Sequence, residues 1–220
     1  MSPSTVTAAR RTPSHSSAAA RRRVAARRRR RSLVSLAVIA LLVVAVVAAL
    51  PLARKAVNEF GLPLQYQGLI RQQAADKHLD PALIAAVIYA ETKFEPSTSS
   101  AGAEGLMQIL PQTANFLADR SGATSFTTAD LGTPRVNIAY GSYYLRYLLD
   151  EYHGSRLLAI AAYNGGEANV NKWLARAHAA GTQFRVRDIP FPETRAYVAK
   201  VLQAQRDYRR TYATQLGYAP

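Results

Sequence analysis

The chain has 220 residues, which allows one modest domain with additional terminal segments. It contains no cysteine, so a disulfide framework, a thiolate metal site and a cysteine nucleophile are excluded. The net charge of +14 is unevenly distributed, because ten of the 28 basic residues are arginines within residues 1–32, which hold no acid. The remaining chain carries 18 basic and 14 acidic side chains, so its charge is weak evidence for nucleic-acid binding, and no nucleic-acid partner is expected.

Residues 1–32 are mostly Ser, Thr, Ala, Pro and Arg. Such a stretch buries too little apolar surface to offset its ordering entropy, so we predict a disordered tail. Residues 33–52 carry no charge, and a helix of that length spans about 30 Å, the thickness of a bilayer core. We therefore predict a transmembrane signal-anchor helix over residues 33–53. The alternative is a cleaved signal peptide, whose apolar stretch is usually only about 7–15 residues long.

The charges flanking this segment predict its orientation. Arginines at 27–31 directly precede it, whereas only Arg54 and Lys55 follow it. Because the more basic flank stays in the cytoplasm, we expect a single-pass protein of the cytoplasmic (inner) membrane, with a cytoplasmic N-terminus and an extracytoplasmic body. A nucleic-acid-binding arginine arm would explain the charge but not its abrupt end at the apolar segment. The tail either contacts anionic lipid head groups or only sets the topology.

The body of the chain is predicted to be mainly α-helical. Residues 54–63 form a linker and residues 64–220 one domain. Proline, capping and glycine signals predict helices at 81–93, 111–119, 135–152, 155–163, 167–179 and 192–212. Residues 95–105 and 122–134 are loop or irregular by composition, and 105–110 is compatible with a small β-hairpin.

Glu91 is the residue best placed for acid catalysis. Val87 and Ile88 mark the apolar face of the helix at 81–93, and Glu91 follows them by four and three residues, on the same face. Partial desolvation raises the pKa of a carboxyl group and keeps it protonated near neutrality, as a general acid for glycosidic cleavage requires. Since Glu91 is near the helix end, the alternative is that it turns into solvent, and periodicity alone does not decide.

Two segments near Glu91 in sequence offer groups that bind sugars. In the Ser- and Gly-rich stretch that follows it, Gln108 has both a donor and an acceptor, and Met107 and Leu110 provide apolar surface for a pyranose face. We expect one of these two apolar side chains to lie in the core instead. Tyr163 and Asn164 stand at a helix end, before two glycines, from which they can point into a cleft.

A further segment contains Glu193 and Tyr197, which share one helix face. Glu193 falls in the first turn of its helix, where an acid is also favoured for purely structural reasons. The four histidines show no metal-ligand spacing and no Gly-rich phosphate loop follows a strand, so neither a metal nor a cofactor is expected.

Taken together, these segments resemble the soluble lytic transglycosylase type of peptidoglycan-cleaving enzymes, whose catalytic domain has a lysozyme-like fold. The resemblance covers residues 64–208. It rests on four segments in order, AETKFEPSTSSAGAEGLMQILPQTA, NIAYGSYYLRYL, AIAAYNGGEANV and IPFPETRAYVAKVL. It implies that Glu91 is the catalytic acid/base and that the glycan groove is lined by Ser100, Gln108, Tyr163, Glu193 and Tyr197. Tyr163 resembles the tyrosine whose hydroxyl contacts the catalytic carboxyl.

The implied activity is cleavage of the MurNAc–GlcNAc bond in peptidoglycan glycan strands, leaving a 1,6-anhydro end without any cofactor. Cell-wall synthesis or secretion machinery is a further candidate partner. Departures from the family pattern at Thr92, Glu95 and Leu110 remove no group that the mechanism needs. Two alternatives stay open. One is a hydrolytic muramidase with a second carboxylate from Glu104, Glu193 or Asp130, and the other is a non-catalytic peptidoglycan-binding scaffold.

Overall fold

The computed structural model describes residues 61–219 and four residues of the apolar segment. These four, Leu41, Val43, Val44 and Val47, are helical and exposed. The predicted basic tail and most of the predicted membrane segment and linker lie outside the described residues. Among the residues that are described, no helix is both long enough and apolar enough to cross a membrane.

Seven α-helices build the domain between residues 61 and 219. They are α1 (Gln67–Asp76), α2 (Pro81–Thr92), α3 (Pro111–Ser121), α4 (Pro134–Glu151), α5 (Arg156–Gly165), α6 (Glu167–Ala179) and α7 (Pro192–Thr211). The sequence predicts α2 to α7 to within two residues at each end, which confirms a mainly helical domain. It misses α1, which is mostly polar and starts at Tyr66 in a left-handed conformation without a side-chain cap.

The β-structure is a single small hairpin within the described domain. Strand β1 (Ser97–Thr98) pairs antiparallel with β2 (Glu104–Gly105), and Glu104 also forms a bridge with Ile109. The predicted hairpin is thus present, but its first strand lies earlier in the chain than expected. Two 3-10 turns, Thr128–Gly132 and Val186–Asp188, complete the connections between helices.

Helix α2 lies at the centre of the domain. All residues from Ala82 to Ile88 are buried, and α2 packs most extensively against α7. Because this part of α2 is buried on every side, it has no solvent face. The apolar stripe predicted from periodicity therefore does not place Glu91. What places Glu91 is its position at the end of α2, where the buried helix reaches the surface.

The start of α2 is held by the C-terminal segment of the chain. Asp80 caps the helix by accepting a hydrogen bond from the Ala82 amide at 3.0 Å. Burial would raise the pKa of Asp80, but hydrogen bonds from Tyr218, Gln205 and Ala82 and the charge of Arg209 hold it below its usual value. This polar cluster sets the position of α2 along its axis and, through it, the position of Glu91.

Candidate active site

The site is built around the carboxyl group of Glu91, the second-last residue of α2. The hydroxyl of Tyr197, on the adjacent α7, donates a hydrogen bond to Glu91 Oε1 at 2.6 Å. Lys93 ends the helix in the left-handed region, at φ 53°, and Phe94 continues there at φ 68°. These two residues turn the chain sharply away from α2, so that the end of the helix opens onto a cavity.

Burial raises the pKa of Glu91 from its ordinary value of 4.5 to about 7. The hydrogen bond from Tyr197 and the charge of Lys200 both lower the pKa, so desolvation outweighs them. Among the described residues, no acidic side chain contributes to this shift. Both the protonated and the charged form of the carboxyl group are therefore accessible near neutral pH, so it can both give and take a proton.

A cavity of about 380 Å³ opens at Glu91. Its walls come from the end of α2, the turn that follows and one residue of α7. They consist of Ala90, Glu91, Thr92, Lys93, Glu95, Pro96, Ser97 and Lys200. The Thr92 hydroxyl donates to the Leu106 carbonyl at 2.8 Å. This bond joins the end of α2 to the loop that follows β2, residues 106–108. The cavity is thus framed by backbone that tertiary contacts hold in place.

Tyr163 has a different partner from the one that the resemblance implies. Its hydroxyl donates to the Met107 carbonyl at 2.8 Å, and it is Tyr197 that donates to the Glu91 carboxyl. The expected tyrosine–carboxyl contact exists, and the tyrosine that makes it in this structure is Tyr197. Tyr163 still lies close enough to Glu91 for the carboxylate charge to raise its pKa, after the larger effect of burial.

Two other residues that were predicted to contact substrate, Met107 and Gln108, make contacts within the protein instead. Met107 is fully buried and packs against Gly141, where an added Cβ would approach the Met107 Cβ to 2.8 Å. Met107 is therefore a core residue, whereas Leu110 is exposed, as expected for one of the pair. The Gln108 amide donates to the carbonyls of Ser97 and Gly105 at 2.8 and 2.9 Å. Both N–H groups of the Gln108 side chain are engaged, so only its side-chain oxygen remains for a ligand.

The remaining predicted residues lie at or near the surface. Ser100 is exposed at the tip of the hairpin turn, and Glu193 is exposed in the first turn of α7. Asn164, at the end of α5, is also exposed and accepts a hydrogen bond from Thr194 at 2.8 Å. This bond joins α5 to α7, so Asn164 has a structural role whether or not it touches a ligand.

Asn137 is a residue of this site that sequence reasoning missed. It is fully buried, and its amide donates to the carbonyls of Glu104 and Leu131 at 2.8 and 2.9 Å. Its oxygen accepts from the Met107 amide at 2.8 Å. Gly105 faces it at φ +73°, where any Cβ would collide with Asn137 and lie 2.7 Å from the Leu131 carbonyl. The available signal was its place as the first residue of the segment NIAYGSYYLRYL, but two of its three partners are 30 or more residues away in sequence.

We predict that Asn137→Ala destabilises the domain by about 3 kcal/mol, because three buried backbone groups lose their partner. Equilibrium unfolding in urea measures this loss. The matched control is Asn115→Ala, an exposed asparagine on α3, which we expect to change stability by less than about 0.5 kcal/mol. If the two variants have equal stability, Asn137 does not stabilise the loop that follows β2.

A line of aromatic side chains leads away from Glu91, and the sequence did not single it out. The Tyr163 and Tyr144 ring centroids are 5.2 Å apart, and the Tyr144 and Tyr147 rings are stacked at 6.2 Å. Phe116 meets Tyr147 edge to face at 5.3 Å and is itself exposed. Tyr144 and Tyr147 are three residues apart on α4, so they lie on the same face of the helix. No three acidic or histidine side chains among the described residues converge to hold a metal ion.

Comparison with known proteins gives relatives over the same region. The soluble lytic murein transglycosylase of Escherichia coli (strain K12) is 33% identical over 150 residues, covering 67% of this chain and 23% of the relative. A crystal structure of the 70-kDa soluble lytic transglycosylase of Escherichia coli superposes with a TM-score of 0.65 and 30% identity. It covers 74% of this chain and 28% of that one.

A third similar structure is the crystal structure of an inactive mutant of a lytic transglycosylase from Pseudomonas aeruginosa. It superposes with a TM-score of 0.64 and 31% identity, covering 70% of this chain and 25% of that one. The chain thus spans about a quarter of the length of the relatives that it matches.

The helical fold that the chain shares with these structures is that of a lysozyme-like domain of the lytic transglycosylase type. The family model described as "Transglycosylase SLT domain" matches residues 68–185, which is more than half of the chain. The chain belongs to this family.

Proposed function

We propose that this protein is a peptidoglycan lytic transglycosylase in which Glu91 is the acid and then the base. The observation that carries the proposal is the Glu91 carboxyl, whose pKa is about 7 and which accepts a hydrogen bond from Tyr197. The relatives named soluble lytic murein transglycosylase support the substrate class. The Pseudomonas aeruginosa structure adds support, because its inactive mutant carries glutamine in place of a glutamate.

The reaction begins when protonated Glu91 donates its proton to the glycosidic oxygen between N-acetylmuramic acid and N-acetylglucosamine. The bond from that oxygen to C1 breaks, and the N-acetylglucosamine side leaves with a new hydroxyl. Glu91, now a carboxylate, takes the proton from the C6 hydroxyl of the muramic residue, and that oxygen bonds to C1. One group therefore suffices, because the nucleophile belongs to the substrate and benefits from high effective molarity.

The aromatic row supplies a surface for the rest of the glycan strand. Tyr163, Tyr144, Tyr147 and Phe116 extend from the neighbourhood of Glu91 along α4 to α3. Pyranose rings present apolar C–H faces that pack well on aromatic rings. In this proposal a strand lies along the row with one glycosidic bond at Glu91, and Ser100, Glu193 and Asn164 contact it from the exposed rim.

A hydrolytic muramidase is the alternative with the same substrate, and it needs a second carboxylate. Of the three candidates, Asp130 accepts from the Thr127 amide and hydroxyl in a capping box, and Glu104 accepts from the Thr98 hydroxyl at 2.9 Å. These two are thus engaged in local structure. Glu193 is exposed. None of these three carboxyl groups contributes to the shift in the Glu91 pKa.

Digestion of purified peptidoglycan by the full chain, followed by mass analysis of the fragments, tests the proposal. We expect 1,6-anhydro ends, which are lighter than reducing ends by one water. Reducing ends would support the hydrolase instead. A folded protein that binds glycan strands without producing fragments would support the scaffold.

We further propose that residues 33–53 anchor the protein in the cytoplasmic membrane with the catalytic domain outside. The support is the uncharged length of the segment and the arginine block before it. In cells, we expect the full chain to remain in the membrane after alkaline extraction and its C-terminal domain to be sensitive to added protease. The double variant Val43→Asp and Val44→Asp places two charges in the segment and should release the protein from the membrane. A mature N-terminus beyond residue 53 would instead establish a cleaved signal peptide.

A further inference from the structure

Four exposed arginines form a basic surface on one side of the domain. Arg206, Arg209 and Arg210 lie in the last two turns of α7, and Arg156 is the first residue of α5. Arg156, Arg206 and Arg209 line one cavity, so the start of α5 lies beside this part of α7. Arg210 follows Arg206 by four residues and is its neighbour on the helix surface. We call these four residues the arginine face.

Two members of the arginine face are paired with acids. Arg209 pairs with Asp80 at 2.6 Å, and Arg210 pairs with Asp207 at 2.8 Å. The Asp80 side chain is only 16% exposed, whereas the side chains of Arg209 and Arg210 are 57% and 77% exposed. These two acids are thus neutralised within the protein, and their arginine partners still present N–H groups to the solvent.

The other two members carry charge that no acid matches in the described part of the chain. Neither Arg156 nor Arg206 belongs to any of the four ion pairs found among residues 61–219. Each donates instead to a neutral side-chain oxygen, Arg156 to that of Gln205 at 3.5 Å and Arg206 to that of Gln203. A guanidinium group has five N–H donors, so most of them remain for a ligand. The arginine face is therefore suited to bind an anion.

The cavity in the arginine face is suited to a small anionic group. Its volume is about 160 Å³, below the range of about 300–1,000 Å³ typical of sites for drug-sized ligands. It is lined by Arg156, Leu202, Gln205, Arg206 and Arg209. Guanidinium groups bind phosphate through paired, charge-assisted hydrogen bonds. A single phosphate group therefore matches both the size and the charge of this cavity.

The arginine face lies beside the point where the chain enters the domain. The hydroxyls of Tyr208 and Tyr212 donate to the carbonyls of Pro63 and Leu62, and so hold the entering segment against the end of α7. Two arginines of the face stand between these tyrosines in the sequence. The segment that comes from the proposed membrane anchor therefore joins the domain at its arginine face.

We infer that the arginine face docks on phosphate head groups at the outer surface of the membrane that holds the anchor. This inference rests on the proposed anchor at residues 33–53. Residues 54–61 span at most about 30 Å, so the point of entry stays within that distance of the membrane. Each arginine near an anionic surface strengthens the attraction, and the short tether raises the effective concentration of lipid. The active site stays open, because Tyr197 precedes Arg206 by nine residues, about 14 Å along α7.

Quenching of a fluorescent label by lipid head groups tests this contact on the full chain, which has no cysteine and so accepts a single label. Thr214→Cys places the label just beyond α7, and Thr124→Cys places it between α3 and α4, both at exposed positions. The protein is inserted into phosphatidylcholine vesicles, with or without phosphatidylglycerol, that contain a lipid with a quencher on its head group. We expect strong quenching at position 214 on the anionic vesicles and weak quenching on the neutral ones. At position 124 we expect weak quenching on both.

Variants of the arginine face, each labelled at position 214, show whether its charge causes the docking. Arg156→Gln with Arg206→Gln removes the two unmatched charges and should lower the ratio of docked to undocked domain at least about tenfold. Arg156→Lys with Arg206→Lys keeps the charges and should retain most of the docking. The matched control is Arg135→Gln with Arg176→Gln, which removes two exposed arginines from α4 and α6 and should behave as wild type. Equal quenching in the wild type and in the glutamine variant of the face overturns the inference.

Insertion and docking are measured separately, so failure of the anchor is distinguishable from failure of the docking. Flotation of the vesicles after an alkaline wash reports insertion. Insertion without quenching at position 214 on anionic vesicles overturns the docking and leaves the anchor in place. A chain that does not insert contradicts the anchor, and quenching at position 214 in protein mixed with the same vesicles then still decides whether the arginine face binds phospholipid. Binding of soluble poly(glycerol phosphate) without quenching on vesicles would show that the face recognises an anionic wall polymer, and the membrane inference would be wrong.

Discussion

Glu91→Gln is expected to lower the rate of glycan cleavage by about 1,000-fold or more, since loss of general acid catalysis alone costs about 10²–10⁴-fold. Glutamine keeps the size of the side chain but neither donates nor accepts the transferred proton. The loss should appear in kcat, with the affinity for glycan strands largely kept. Glu151→Gln, at the exposed end of α4, is the control and should retain full activity.

The same substitution also has a pH-dependent effect on stability. The folded state holds the Glu91 proton up to about pH 7, whereas the unfolded chain releases it near its ordinary pKa of 4.5. The contribution of this group to stability is therefore fully present below pH 4.5 and is lost as the pH rises through 7. Relative to Glu91→Gln, the wild type should lose on the order of 3 kcal/mol over this window. Urea unfolding of both proteins at pH 4.5, 6 and 8 measures the difference.

These two readouts separate a misassigned acid from a misfolded variant. If Glu91→Gln keeps its fold and its activity, another group supplies the proton. If the difference in stability between the two proteins does not change with pH, the carboxyl group of Glu91 is solvated, and the basis for its acid role is lost.

Tyr197→Phe is expected to reduce cleavage by about 10- to 100-fold, the equivalent of one hydrogen bond to a charged group. The Tyr197 hydroxyl orients the Glu91 carboxyl and lowers its pKa. Its removal therefore raises the Glu91 pKa further. Because the acid form is needed for bond cleavage, the alkaline limb of the pH profile of kcat/KM should move to higher pH.

Tyr163→Phe is the matched control for this shift. It removes a buried hydroxyl whose hydrogen bond is to the Met107 carbonyl, so it should lower stability by about 1–3 kcal/mol. It should slow the reaction without abolishing glycan binding, and the alkaline limb should stay in place. An equal shift of the limb in both variants would show that the two tyrosines act on Glu91 alike. No shift in Tyr197→Phe would remove Tyr197 from the control of the carboxyl pKa.

The helices from α2 to α7 could be predicted because their boundaries depend on local chemistry. Prolines at the first turns of α2, α3 and α7 and the capping side chain of Asp80 act within one turn of the chain. Helix α1 lacks such signals, and its buried face, with Ile70 fully enclosed, becomes apparent only when α2 and α4 pack against it.

The sequence by itself was enough to predict which residue is the acid in the proposed reaction, since Glu91 stands in the first of four motifs whose order and spacing are specific. Only the tertiary structure decided how the other residues divide between binding and support. The Met107 side chain packs in the core, and the Gln108 side-chain amide bonds the carbonyls of Ser97 and Gly105. Asn137 accepts from the Met107 amide from 30 residues away. The pairing of Tyr197 with Glu91 across 106 residues follows from the packing of α7 on α2. Contacts between distant segments depend on that packing, and no local pattern in the chain encodes them.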